Sequence, residues 1–427
     1  MKALFGKLVL ILVVLVLTSS ISAQWKMVSA PSKTDFNSAV QLTNIKAFVV
    51  GDNGIMLGTN NRGSTWIPFH LGIQSNLNSI KFIDYYNGFI VGDNGVILRT
   101  QDCWRNWDYL SVASNYYNKD VSFVNGTYGI IVGYKYLFTG DTPQHYATIL
   151  ISNDEGIDWS DKSPGIKGKL NSVIFFDDNK AIAVGDAGLV GFSNDRGENW
   201  NFRKLTNYNL NSVRVCKTTG LKIIVGDNGT LFISQEEDKY KWIDYSISYL
   251  YNLNAICQYG SSFVIAGEKK SYFVNKPQSV ILESRELNGI WKEVFTASSG
   301  ILNSVNFCNN NYSAISVGQK GTIAVYDRLL AQDTVICVDS PSKIKLQNYP
   351  NPFNPSTIIS FQLPEQTNVV LKVYDVLGNE VATLINEEKP AGIYEANWDA
   401  SNMPSGVYVY QLRAGSNTQI KKMLLLK

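Results

Sequence analysis

The chain has 427 residues, enough for two or three domains and a large buried core. Lys plus Arg number 38 against 36 Asp plus Glu, which leaves no electrostatic footprint for nucleic acid. Apolar residues make up 45% and charged ones only 17%, with 23 Tyr and 33 Gly, which argues against a disordered or helical chain and for short strands joined by tight turns.

Residues 1–23 have the layout of a secretory signal peptide. Lys2 and Lys7 give a positive start, residues 8–17 are an unbroken apolar run, and Ile21-Ser22-Ala23 offers small residues for cleavage. Ten apolar residues are too few to span a bilayer, and no later segment is apolar enough to do so. Five Cys follow, at 103, 216, 257, 308 and 337. An odd number cannot pair completely within one exported chain, and none forms a CxxC pair. They read as small packing residues.

From residue 24 a repeat sets the fold. Val-Gly-Asp-Asn-Gly occurs at 50–54, 91–95 and 225–229, with Val-Gly-Asp-Ala-Gly at 184–188. The first glycines of the equivalent turns are Gly51, Gly92, Gly133, Gly185, Gly226, Gly267 and Gly318, with gaps of 41, 41, 52, 41, 41 and 51 residues. A period of 41 with two insertions of about ten means seven units.

Each unit reads as four strands. In the second, Leu77 to Phe82 alternates, Gly88 to Val91 is apolar, and Asp93-Asn94-Gly95 signals a tight turn at positive φ. Val96 to Thr100 makes a third strand and Trp107 opens a fourth. The seventh unit stops after its third strand, at Tyr326, and a stray Trp strand, Gln24 to Val28, stands at the mature N-terminus. Pairing the two would close the ring and leave no free edge. The expected fold is all-β, a seven-bladed β-propeller over 24–330 followed by a small Ig-like β-sandwich.

The motifs carry a resemblance. Residues 152–159 and 193–200 match the Asp-box (S-x-D-x-G-x-x-W) of sialidase-type propellers, with degraded copies at 59–66, 100–107 and 284–291. The whole-blade pattern is similar to the propellers of photosystem II assembly factors. The resemblance implies the fold and gives structural roles to Asp154, Gly156, Trp159, Asp195, Gly197 and Trp200. It says little about activity.

After Leu330 the repeat stops. A linker, 331–345, leads to the Tyr349-Pro350-Asn351-Pro352-Phe353-Asn354-Pro355 run, whose prolines exclude a central strand or helix interior. Alternating strands follow at 358–363, 369–374, 380–385 and 406–413. That run, together with Val373-Tyr374-Asp375, Gly406-Val407-Tyr408 and the closing Lys421 to Lys427, resembles the type A C-terminal sorting domain of type IX secretion, over 346–427. The resemblance implies an outer-membrane translocon as partner and an extracellular or cell-surface location after signal-peptide export.

Chemistry is scarce. Only His70 and His145 are present, which excludes a multi-His zinc site. No GxSxG elbow or phosphate loop occurs, and no cofactor is expected. The repeated turn acids and the box acids are structural, since a catalytic group is needed once rather than in every blade. Glycoside hydrolysis by two carboxylates stays open, with Asp120 and Asp141 as candidates. The Phe-Arg-Ile-Pro segment of sialidases is absent.

The better clue is where repetition fails. In an up-and-down blade the second-to-third-strand turn and the start of the first strand share a face. Both insertions fall at that turn: 134–146 in blade three, with Tyr136, Phe138, Asp141, His145 and Tyr146, and 268–280 in blade six, with Lys269, Lys270, Tyr272 and Lys276. Blade three also replaces the usual Leu-Asn-Ser with Asn118-Lys119-Asp120. Tyr117, Tyr208 and Tyr251 stand at neighbouring strand starts, beside Asn78, Asn171, Asn211, Asn254 and Asn303. Tyr and Asn suit glycans or extended peptides. A structural alternative is that the Asn side chains tie adjacent blades and the insertions are decoration. The expected function is a secreted or surface-displayed, non-enzymatic propeller binding a polysaccharide or protein partner. Glycoside hydrolase and envelope-complex assembly factor are the alternatives.

Overall fold

The computed structural model describes residues 24–102, 104–110, 112–138, 143–216, 219–234, 241–271, 276–298, 300–307, 313–327, 344–389 and 392–427. The signal peptide, Asp141, Tyr272, Cys103, Cys308, Cys337 and linker residues 331–343 lie outside them.

Seven four-stranded antiparallel sheets form the blades of a propeller. Blade two is representative, with strands Leu77–Phe82, Gly88–Gly92, Ile97–Thr100 and Asp108–Tyr109. Its second and third strands are buried throughout, whereas the outer strand is exposed. Both faces of a blade pack on neighbours, so its inner strands read as continuous apolar runs rather than alternating ones. The hydrophobic core accordingly divides into seven clusters, one at each joint between adjacent blades.

Each repeated first glycine answers a close approach. At Gly92 a Cβ would lie 2.2 Å from the Asn76 carbonyl oxygen, and at Gly185 1.9 Å from that of Lys169. The backbone there is extended, so space rather than torsion demands glycine. Two residues later torsion takes over: Asn94 and Gly95 both have positive φ, at 59° and 72°.

Ring closure follows the arithmetic of the repeat. Gln24–Val28 pairs antiparallel with Thr322–Asp327, Trp25 opposite Tyr326, as the outer strand of blade seven. Trp25 is buried against Phe307 and Tyr326. In the boxes, Gly156 N–H donates to Ser152 Oγ at 2.9 Å, and Ile157 and Asp158 N–H groups donate to Asp154. Trp159 Nε1 closes the turn on the Gly156 carbonyl, and Trp200 does the same on Gly197. Of the described cysteines, Cys216 is buried and Cys257 half-buried.

The C-terminal unit is a sandwich of a three-stranded and a four-stranded sheet. Three strands go beyond the sequence reading: Lys345–Tyr349, Gly392–Asp399 and Asn417–Leu425. The proline run joins the first two strands and folds onto the last. Phe353 N–H donates to the Leu424 carbonyl and Leu426 N–H to that of Phe353, while the Phe353 ring is buried beside Trp398. The two hallmark segments, about 70 residues apart, thus meet in one place.

Candidate ligand-binding face

The turns between second and third strands share a face with the starts of the first strands, and on this face the asparagines form a belt. Asn37, Asn78, Asn171, Asn211, Asn254 and Asn303 each donate through Nδ2 to a first-strand carbonyl of the next blade, at 2.8–3.1 Å. Four of them also donate to the turn carboxylate of their own blade: Asp52, Asp93, Asp186 or Asp227. The structural alternative for these asparagines is therefore the correct one. They join blades, and in those four both amide donors are engaged.

One joint of seven lacks this tie. Between blades three and four the Asn position is held by Lys119, whose Nζ instead reaches back to Asp93 at 3.3 Å. The position two residues earlier differs as well. Asp35, Asn76, Asn209 and Asn252 there each accept the turn N–H of the blade before, whereas blade three has Tyr117.

At this gap the second and third strands of blade three, Tyr128–Phe138 and Pro143–Ser152, run on as a long hairpin. Its register places Tyr136 opposite His145. Alternation then puts Tyr134, Tyr136 and His145 on one side of the ribbon. Tyr117 stacks on Tyr134 with centroids 4.9 Å apart, and Tyr136 meets Tyr117, Tyr134 and His145 at 5.2, 5.7 and 4.6 Å. Lys169 Nζ, from blade four, lies 4.8 Å from the Tyr134 ring centroid and Lys119 Nζ 5.6 Å from it. Burial and then Lys169 lower the His145 pKa, so the ring is neutral near pH 7. Two flanking polar atoms, Asn118 Oδ1 and His145 Nε2, are buried without a partner.

Tyr117, Lys119, Tyr136 and His145 are therefore brought together, and Tyr134, which the sequence reading counted only as the edge of the insertion, sits at their centre. Other candidates go elsewhere. Tyr146 faces the opposite side of the ribbon, beside Lys135 and Asp161. Tyr208 is exposed. Tyr251 donates to Glu293, which Lys269 also contacts at 2.7 Å. The same brace recurs at Tyr116, Lys135 and Asp161, and in both long-hairpin blades it links first, second and fourth strands. Despite burial, bonds from Ser163 and Tyr116 and the charge of Lys135 bring Asp161 down to about 2.

Asp120 needs correction as a surface ligand group. It is only 5% exposed and accepts bonds from Ser79 Oγ and Val121 N–H on one oxygen and from Ser172 Oγ and Val173 N–H on the other. Against the cost of burial, Lys81, Arg214 and these bonds hold its pKa below the ordinary range. It stays ionised, which is unsuited to a general acid. Among the described residues no group of three or more His, Cys, Asp or Glu could hold a metal ion.

Residues 347–426 match the family described as secretion system C-terminal sorting domain. The C-terminal unit is a sorting domain of the type IX kind. Such a sorting domain directs its chain to the cell surface or the extracellular space. No curated protein matches the sequence. Among solved structures, YCF48 bound to D1 peptide aligns at 15% identity and TM-score 0.56, over 72% of this chain and 97% of that one. YCF48 from Cyanidioschyzon merolae aligns at 13% and 0.53, over 71% and 99%. The WD40 propeller of Doa1 aligns at 13% and 0.55, over 72% and 97%. These likenesses concern the fold, a β-propeller carried ahead of the sorting domain.

Proposed function

We propose that the chain is a surface-displayed, non-enzymatic binding module. A signal peptide, 1–23, starts its export, the sorting domain at 346–427 engages the outer-membrane translocon, and the propeller at 24–330 is the cargo. The propeller holds an extended polysaccharide or a segment of a partner protein across the face bearing the blade-three hairpin.

The observation that carries this reading is the coincidence of three departures from the repeat. At one joint the asparagine belt is broken, the hairpin is lengthened, and four aromatic rings cluster beside two lysines. A decoration has no reason to coincide with the one missing tie. Aromatic faces with adjacent cations suit the apolar faces of sugars and the carbonyl and acidic groups of extended peptides. A peptide ligand draws support from a propeller of the same fold whose structure carries a bound D1 peptide.

The test is retention of the mature chain, 24–427, on a polysaccharide panel, with released sugars scored in parallel and surface crosslinking for protein partners. Retention lost in Tyr117→Ala and Tyr136→Ala supports the site. Undiminished retention in both variants refutes it, and released sugars would replace binding by hydrolysis.

A further inference from the structure

The propeller axis holds charged chemistry that the blade-three face does not use. Lys81 comes from the first strand of blade two and Arg214 from that of blade five. With two blades between them, their side chains can share a neighbour only at the axis. That neighbour is Asp120, with Lys81 Nζ 3.9 Å from one carboxylate oxygen and Arg214 Nη1 4.0 Å from the other. Both cations lie two residues beyond the Ser-level ring along their strands, towards the end of the channel opposite the long hairpins.

This is not a self-contained ion triad. The two oxygens of Asp120 already accept four hydrogen bonds, at 2.9–3.2 Å, which matches the acceptor capacity of a carboxylate. Among the described residues Lys81 Nζ has its 3.9 Å contact with Asp120 and no hydrogen bond. Arg214 donates only through Nη1, to the Val213 carbonyl at 2.8 Å and Ser172 Oγ at 3.4 Å. Among the described residues the Nε and Nη2 groups of Arg214 and the three N–H groups of Lys81 have no acceptor. Two cations face one carboxylate, and their side chains are about one-third exposed, at 35% and 30%. Partly desolvated donors of like charge are stabilised by an acceptor that carries negative charge.

We propose that Lys81 and Arg214 form an axial site for a small oxyanion, a carboxylate or phosphate group, at the channel end away from the aromatic face. Lys81 supplies a point charge, and Arg214 offers the flat fork that fits two oxygens. Asp120 fixes the geometry through its bonds to blades two and four and keeps the net charge of the site at one.

The experiment uses the mature chain with inorganic phosphate and acetate as separate probes, against chloride at equal ionic strength. Acetylation of Lys81 by an amine-reactive reagent is followed by mass-spectrometric peptide mapping. At about ten times its dissociation constant, a bound anion slows Lys81 labelling roughly tenfold and leaves exposed lysines unchanged. Protection by phosphate alone assigns the site to phosphate groups, and protection by acetate alone to carboxylates; either supports the proposal. In Arg214→Gln, checked for folding by circular dichroism, the protection disappears while Lys81 stays reactive. Labelling equal in chloride, phosphate and acetate overturns the proposal, as does protection that survives in Arg214→Gln.

Discussion

Tyr117 and Tyr134 stack with their planes within 5° of parallel and their centroids 4.9 Å apart. One is the second residue of the first strand of blade three and the other is its cross-strand partner on the second, so their contact ties the root of the long hairpin to the inner strand. Tyr136, one alternation further on, is the outermost ring that Tyr117 still touches.

Tyr136→Ala removes that outer ring. Ligand affinity is expected to fall at least about tenfold, which is about 1.4 kcal/mol. The fold should lose only about 1 kcal/mol from lost ring pairs. Titration calorimetry with the retained ligand, beside urea denaturation, separates the two quantities.

Asp120→Ala acts on the fold instead. It leaves the charges of Lys81 and Arg214 uncompensated near the axis and breaks bonds to blades two and four, with an expected loss of about 3–5 kcal/mol in denaturant unfolding. Asp120 has a folded pKa below its unfolded value. Its contribution is therefore complete above the ordinary carboxylate range and disappears as pH falls through the folded value. A wild-type stability that stayed flat down to strongly acid pH would contradict this.

Lys81 tilts stability in the same direction over a more alkaline window. Burial and Arg214 bring its amine to about 8, against the pull of Asp120, from an ordinary 10.5. Between those values the unfolded chain binds more protons, so this group makes stability rise with pH over that window. Lys81→Met should remove the rise. The check is the difference in urea midpoint between variant and wild type across the window.

Trp25→Ala tests ring closure. Its ring is 5% exposed and packed on Phe307 and Tyr326, so its removal should destabilise the propeller by about 3–5 kcal/mol. Hydrogen exchange should rise first in Thr322–Asp327, the strand it covers.

Deleting residues 347–426 should leave the propeller folded in the periplasm and absent from the surface and the medium. Fractionation with surface proteolysis reads this directly. Display that persists without the sorting domain would remove its assigned role.

The amino-acid sequence by itself determined the seven blades, their strand order and the closing strand. Those features repeat at a fixed spacing, and each repeat encodes the same local physics: glycine where backbones nearly touch, positive-φ residues in the turn, and apolar runs where both faces are covered. The site was legible only as a departure from that repetition. Tyr117, Lys119, Tyr136 and His145 stand out because they break the pattern, yet the sequence could not say that Asp120, breaking it in the same tetrapeptide, points to the axis. Nor could it separate Tyr136 from Tyr146, which the two-residue alternation of the hairpin sends to opposite sides once the register is set. The asparagine belt, its single gap and the meeting of Lys81 with Arg214 belong to the tertiary structure alone. Each depends on a side chain reaching another blade, and only the closed ring sets which blades are near enough to be reached.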